Sequence, residues 1–125
     1  MKHETVTIAK RKFALAFTMD AMVTMQDYIS DFDLKNLADY ARSARTLPDM
    51  LYALAQQGEL LEGRPLDVDR AWFGSHISPS PRSAIKLQTA VLNALAEGFR
   101  MDTETGEDAE VDVVLEEIKK NDQPA

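Results

Sequence analysis

Residues 46–65, TLPDMLYALAQQGELLEGRP, decide how the rest of the chain is read. Thr46 offers a hydroxyl acceptor ahead of the segment, Pro48 fixes φ just inside it, and Asp49 puts a carboxylate near the positive end of a helix dipole. Leu47, Met50, Leu51, Leu54, Gly58 and Leu61 then recur at helical spacing as far as Glu62, and Gly63 followed by Pro65 makes a natural stop. A long amphipathic helix is predicted. Gly58 lies on its apolar face, which implies that another stretch of backbone passes close by.

Working upstream, Asp33 is a good N-cap for a short helix in which Leu34, Leu37, Ala38 and Ala41 share a face, ending around Ser43. Before it, Thr18 and Asp20 mark another helix start. Met19, Met22, Met25 and Ile29 repeat behind them as one core-facing stripe that ends near Ser30. From Glu4 to Phe17 the alternation is imperfect. Thr5, Val6, Thr7 and Ile8 favour extended structure, so two strands turning around Lys10 to Lys12 would put Phe13, Leu15 and Phe17 inward. One strand followed by an early helix is the open alternative, because Ala14, Leu15 and Ala16 are good helix formers.

Downstream, Asp67 is placed to cap a short segment carrying Val68, Ala71, Trp72 and Phe73, after which Gly74 and the Ser78-Pro79-Ser80-Pro81 run call for a loop. Pro81 suits the opening of a last core helix reaching about Phe99. Ile85, Gln88, Leu92, Leu95 and Phe99 form its line, and Ala84, Leu87, Val91 and Ala94 widen it enough to require burial on more than one side. Asp102 to Glu110 carries five acidic residues, one glycine and no base, the composition of a solvated linker. Val111, Val114, Leu115 and Ile118 then make a small helical stripe closing in Lys119 and Lys120. The expected organisation is a helical core domain over 1–101 with an extended N-terminal segment, a linker over 102–110, a short helix over 111–120 and a disordered tail over 121–125. The fold class is mainly α: one small helical domain, α+β if residues 4–17 form a hairpin, with a tethered C-terminal helix.

At 125 residues and 45% apolar composition the chain can bury one core. A net charge of −7 repels phosphate backbones and anionic membranes, so neither nucleic acid nor membrane is expected as a partner. The absence of cysteine removes disulfides, thiolate nucleophiles and thiolate metal sites, and fits a reducing compartment. The first dozen residues lack an apolar signal core, and no segment approaches a membrane span, so a cytoplasmic protein is expected.

Little in the chain invites catalysis. Histidines occur only at 3 and 76, in a terminus and a loop, which excludes a helical His pair for zinc. Asp31-Phe32-Asp33 and Asp67-Val68-Asp69 resemble cation-binding pairs but lack the rest of a calcium loop, and helix capping accounts for both. The glycines are too scattered to cradle a phosphate. Arg42, Arg45, Arg64, Arg70 and Arg82 are read as solvated ion-pair partners, since no aromatic residues interleave them. No catalytic residue, cofactor or metal ligand is assigned, and the chain is read as a non-enzyme. Adjacent Trp72 and Phe73 cannot both face one core from a regular helix, so one is a candidate partner-binding anchor or a buried corner; Val111, Val114, Leu115 and Ile118 are the other partner-binding candidates. Two further classes stay open: a carboxylate-dependent hydrolase, and a small acidic regulatory or inhibitory protein-binding domain.

The run RKFALAFTMDAM over 11–22, the segment LPDMLYALAQQGELLEGRPLD over 47–67, the helix AIKLQTAVLNALAEGF over 84–99 and the closing EVDVVLEEIKK over 110–120 together resemble the tail assembly chaperones of siphophages and Gram-positive prophages. The likeness covers most of the chain from Lys12 to Lys120 and is one of pattern. It implies a protein of the bacterial host cytoplasm that keeps the tape-measure protein soluble and helps tail-tube subunits gather on it. Homo-oligomerisation is open. In that family a longer product often arises by ribosomal frameshifting, with which Lys119-Lys120 is compatible.

Overall fold

A computed structural model describes residues 3–103, with side chains up to Arg100. In chain order it contains β1 (Glu4–Ile8), β2 (Arg11–Leu15), α1 (Met19–Tyr28), a 3-10 turn (Leu34–Asn36), α2 (Leu37–Arg42), α3 (Leu47–Leu61), α4 (Arg70–His76) and α5 (Pro81–Thr103). The architecture is mainly helical with an N-terminal antiparallel hairpin. The helix expected over 111–120 lies outside the described residues, as does the linker beyond Thr103.

Residues 4–17 take the two-strand alternative. Ala9 and Lys10 adopt φ of 50° and 67°, the left-handed pair a two-residue hairpin turn needs, which moves the turn one residue ahead of the expected Lys10 to Lys12. Pairing Val6 with Phe13 and Glu4 with Leu15 puts Val6, Ile8, Phe13 and Leu15 into the core. Good helix formers at 14–16 lose to this tertiary burial.

The hairpin is held by α3. Ala16 N–H donates to the Leu54 carbonyl at 3.0 Å, and Ala14 N–H donates to the buried Glu59 carboxylate at 2.9 Å. Between these bonds, a Cβ built on Gly58 would fall 2.0 Å from the Ala14 carbonyl oxygen, so the close backbone approach expected at Gly58 is the passage of β2. The second such approach is at Gly98 of α5, where a Cβ would meet the Phe17 carbonyl at 2.7 Å. Arg64 closes the arrangement by donating to Glu59 at 3.0 and 3.3 Å.

Several expectations give way to tertiary detail. The expected stripe of α1 holds at Met25 and Ile29, which are buried, but Met19 is 73% exposed and Met22 half-buried, and Ala21 completes the inward face in their place. The Thr46 hydroxyl donates to the Tyr40 carbonyl at 2.5 Å, tying α2 to the start of α3 instead of capping it. Asp69, not Asp67, caps α4 by accepting from Trp72 N–H at 3.0 Å. That helix runs through Gly74 to His76, where a loop was expected, and a side chain at 74 would crowd the Arg70 guanidinium that reaches back to Asp49. In α5, Ile85 is exposed although it heads the predicted line, and the helix extends past Phe99 to Thr103, taking in the first two residues of the expected linker. Thr18 and Asp33 cap as expected, accepting from Ala21 N–H and Lys35 N–H.

Gly58→Ala is expected to destabilise the fold by about 3 kcal/mol, since backbone and not a flexible side chain must yield; urea denaturation measures it. Burial alone would raise the Glu59 carboxyl, but hydrogen bonds from Arg64 and Ala14 N–H, with attraction from Arg64 and Arg11, hold it below the ordinary value. Its contribution is therefore complete above the unfolded-state value of about 4.3 and is lost as pH falls through the lower folded-state value. Glu59→Gln should flatten this acid limb of stability against pH, which denaturation midpoints between neutrality and pH 3 would reveal.

Candidate protein-binding groove

Buried apolar contacts pull α1 against α3, and two threonine–glutamine pairs fix how they meet. Thr18 Oγ1 donates to Gln57 Oε1 at 2.9 Å, and Thr24 Oγ1 to Gln56 Oε1 at 3.1 Å. Among the described residues, nothing covers the apolar side chains left on the outer shoulders of this contact. Val23 of α1 is 48% exposed and Leu60 of α3 52% exposed, and with Pro65 and Leu66 they line an open groove of about 450 Å³ that also includes Asp20. Met19 and Leu61 extend the apolar exposure toward the start of α1 and the end of α3, where a smaller recess holds Leu61, Phe17 and Thr18.

The loop that forms one wall of the groove is clamped. Arg64 binds Glu59 at one end of it; at the other, Arg11 binds Asp67 at 2.6 Å while its guanidinium lies 5.2 Å from the Phe13 ring centroid and 5.7 Å from that of Trp72. The Arg11 hydrogen bond and charge hold the Asp67 carboxyl below the ordinary carboxylate range. The Glu59 hydrogen bond and charge raise Arg64 correspondingly.

Of the residues singled out by sequence, Phe73 is fully buried and packs on Phe13 at 5.2 Å, so it has no surface to offer a partner. Trp72 is half-buried, edge-on to Phe13 and stacked on His76 at 4.3 Å, whose Nδ1 lies 2.8 Å from the Trp72 carbonyl. The pair is a buried corner with one partly open ring. Val111, Val114, Leu115 and Ile118 lie outside the described residues. Of the five arginines, Arg64 and Arg70 are tied to Glu59 and Asp49 of α3, and Arg42, Arg45 and Arg82 are exposed. Of the two aspartate pairs, Asp33 and Asp69 cap helices and Asp67 binds Arg11, and among the described residues no group of three or more His, Cys, Asp or Glu could hold a metal ion. Burial, the Tyr28 hydroxyl and Asp69 raise the Tyr52 hydroxyl from its ordinary value. No described helix is long and apolar enough to cross a membrane.

Val23, Leu60, Pro65 and Leu66 carried a signal the periodicity analysis passed over. Leu60 and Leu61 are adjacent, and neighbours on a helix lie about 100° apart, so a doubled leucine at the edge of a complete stripe must put an apolar side chain outside it. Val23 stands off the inward face of α1 in the same way. Comparison with protein families, curated proteins and solved structures finds no match to this chain.

Leu60→Asp is expected to shift stability by no more than about 0.5 kcal/mol, whereas Leu54→Ala on the buried face of α3 should cost about 3 kcal/mol. Paired denaturation curves test whether the groove side chains stand outside the core.

Proposed function

We propose that this chain is a non-enzymatic tail assembly chaperone of a siphophage or prophage, acting in the bacterial host cytoplasm by binding the tape-measure protein and helping tail-tube subunits gather on it. The observation that carries the reading is the open apolar groove between α1 and α3, whose exposed Val23 and Leu60 stand on a rigid, hydrogen-bonded helix pair. A groove of this kind accepts the apolar stripe of a client helix, read as side chains three and four residues apart, and a tape-measure protein is a long helical client. The resemblance of the 11–22, 47–67, 84–99 and 110–120 segments supplies the specific client.

Charge distribution supports the same reading. Eight acidic and two basic residues follow Thr103, so most of the net charge of −7 is carried beyond α5 and the folded body is close to neutral. A near-neutral body can approach an apolar client while the acidic segment keeps the complex dispersed. Phe99 packs against Phe17 at 5.3 Å, so the last described turns of α5 lie beside the start of α1. Val111, Val114, Leu115 and Ile118, whose spacing makes a small apolar stripe in the sequence, are proposed as a second contact for the client.

Co-expression with the long helical protein encoded downstream, followed by size-exclusion chromatography, is expected to give a soluble complex where the client alone is insoluble. Val23→Asp with Leu60→Asp should abolish co-elution without unfolding the chain, and Leu115→Asp should weaken it. A client equally soluble alone that never co-elutes would defeat the reading.

A further inference from the structure

Among the described residues, only β2 of the hairpin has its outer edge covered. Antiparallel pairing alternates between residues that bond across the ladder and residues whose N–H and C=O point away from it. The two-residue turn makes Ile8 with Arg11, Val6 with Phe13 and Glu4 with Leu15 the bonded pairs. Thr5 and Thr7 of β1 therefore point outward, as Ala14 and Ala16 do on β2. On β2 those outward N–H groups are taken up by Glu59 and Leu54. On β1 no further strand follows among the described residues.

Soluble proteins ordinarily blunt such an edge with lysine, proline, a bulge or a covering element. β1, Glu-Thr-Val-Thr-Ile, has neither lysine nor proline and is rich in β-branched residues. Its neighbour α5 packs against β1 through the buried core and leaves grooves open along their junction. One of about 490 Å³ is lined by Glu4 to Thr7 and by Ile85, Lys86 and Thr89, and another of about 410 Å³ by His3 to Thr5 and by Asn93, Glu97 and Arg100. Ile85 is 62% exposed at the first opening. A trough flanked by free backbone groups selects an extended strand, since only a strand can satisfy them in register.

We propose that β1 is a self-association edge, pairing antiparallel with β1 of a second copy about a two-fold axis at Val6 to give a continuous four-stranded sheet. This register uses the outward groups of both threonines: Thr5 of each copy exchanges both backbone bonds with Thr7 of the other. Charge selects the second copy as occupant. The two openings show that β1 runs antiparallel to α5, with Glu4 toward the Glu97 end and Thr7 toward the Lys86 end. Neither Glu4 nor Lys86 has an ion-pair partner among the described residues. The two-fold brings Glu4 of each copy alongside Ile8 of the other, at the Lys86 end, so two complementary pairs form at once. The inference does not depend on the client reading, because β1 and the α1–α3 groove are different surfaces.

The test is sedimentation velocity of the full chain across a dilution series. A concentration-dependent monomer–dimer equilibrium is expected. Thr7→Pro removes an outward N–H that the hairpin itself does not use, and should leave the far-ultraviolet circular dichroism intact while giving a monomer. Glu4→Lys should weaken dimerisation about tenfold by placing like charges together twice, and Glu4→Lys with Lys86→Glu should restore it. A wild-type chain that sediments as a monomer throughout overturns the proposal. So does a Thr7→Pro chain that dimerises as the wild type does. If Thr7→Pro fails to fold, the charge-reversal pair decides: Glu4→Lys without effect, or a double variant without rescue, overturns it.

Discussion

The seating of β2 against the end of α3 is the constraint on which the other packing depends. A five-residue strand paired on one side only is marginal by itself, and its outer N–H groups must be satisfied if it is to be buried. α3 satisfies them with one main-chain carbonyl, from Leu54, and one buried carboxylate, from Glu59. Both bonds require the two backbones to come within a distance that any side chain at 58 would prevent. Buried Glu59 is in turn kept charged by Arg64, so a glycine, a glutamate and an arginine within seven positions serve one contact.

From that contact the aromatic core follows. Phe13, fixed in β2, meets Phe73 and Trp72 of α4 at 5.2 and 5.5 Å, and Phe73 meets Tyr52 of α3 at 6.0 Å. The Asp49–Arg70 ion pair joins the first turn of α3 to the first turn of α4, so the loop between them is held from both ends. The groove wall at Pro65 and Leu66 belongs to that loop. A binding surface built in this way is preorganised, and less ordering entropy is lost when a partner settles on it.

Two surfaces therefore remain for association, and they differ in what they can recognise. The α1–α3 groove offers apolar side chains with their backbone groups already used within helices, and suits a helix. The β1 edge offers backbone groups with little apolar area, and suits a strand.

How much was legible in the sequence depended on whether the signal was local. The α3 boundaries, the caps at Thr18 and Asp33 and the opening of α5 at Pro81 follow from side-chain chemistry acting within a few residues, and capping residues, prolines and helical spacing located them; a glycine on the apolar face of α3 marked the close approach at Gly58. The hairpin was undecided because strand and helix propensities at 14–16 nearly balance, and burial against α3 tips them. Met19 was misplaced because periodicity finds an apolar stripe without saying which face a neighbouring helix will cover. Asp67 and Asp69 exchanged roles because Arg11, distant in sequence, claims the first of them. The groove was passed over for the same reason: an exposed Leu60 beside a buried Glu59 reverses what composition would assign. The sequence by itself determined a small, acidic, mainly helical chain and where most helices begin, since those depend on local geometry and total charge. Which faces are buried, which carboxylate caps and which apolar side chains remain for a partner were decided only by the tertiary structure, because each depends on what another segment brings alongside.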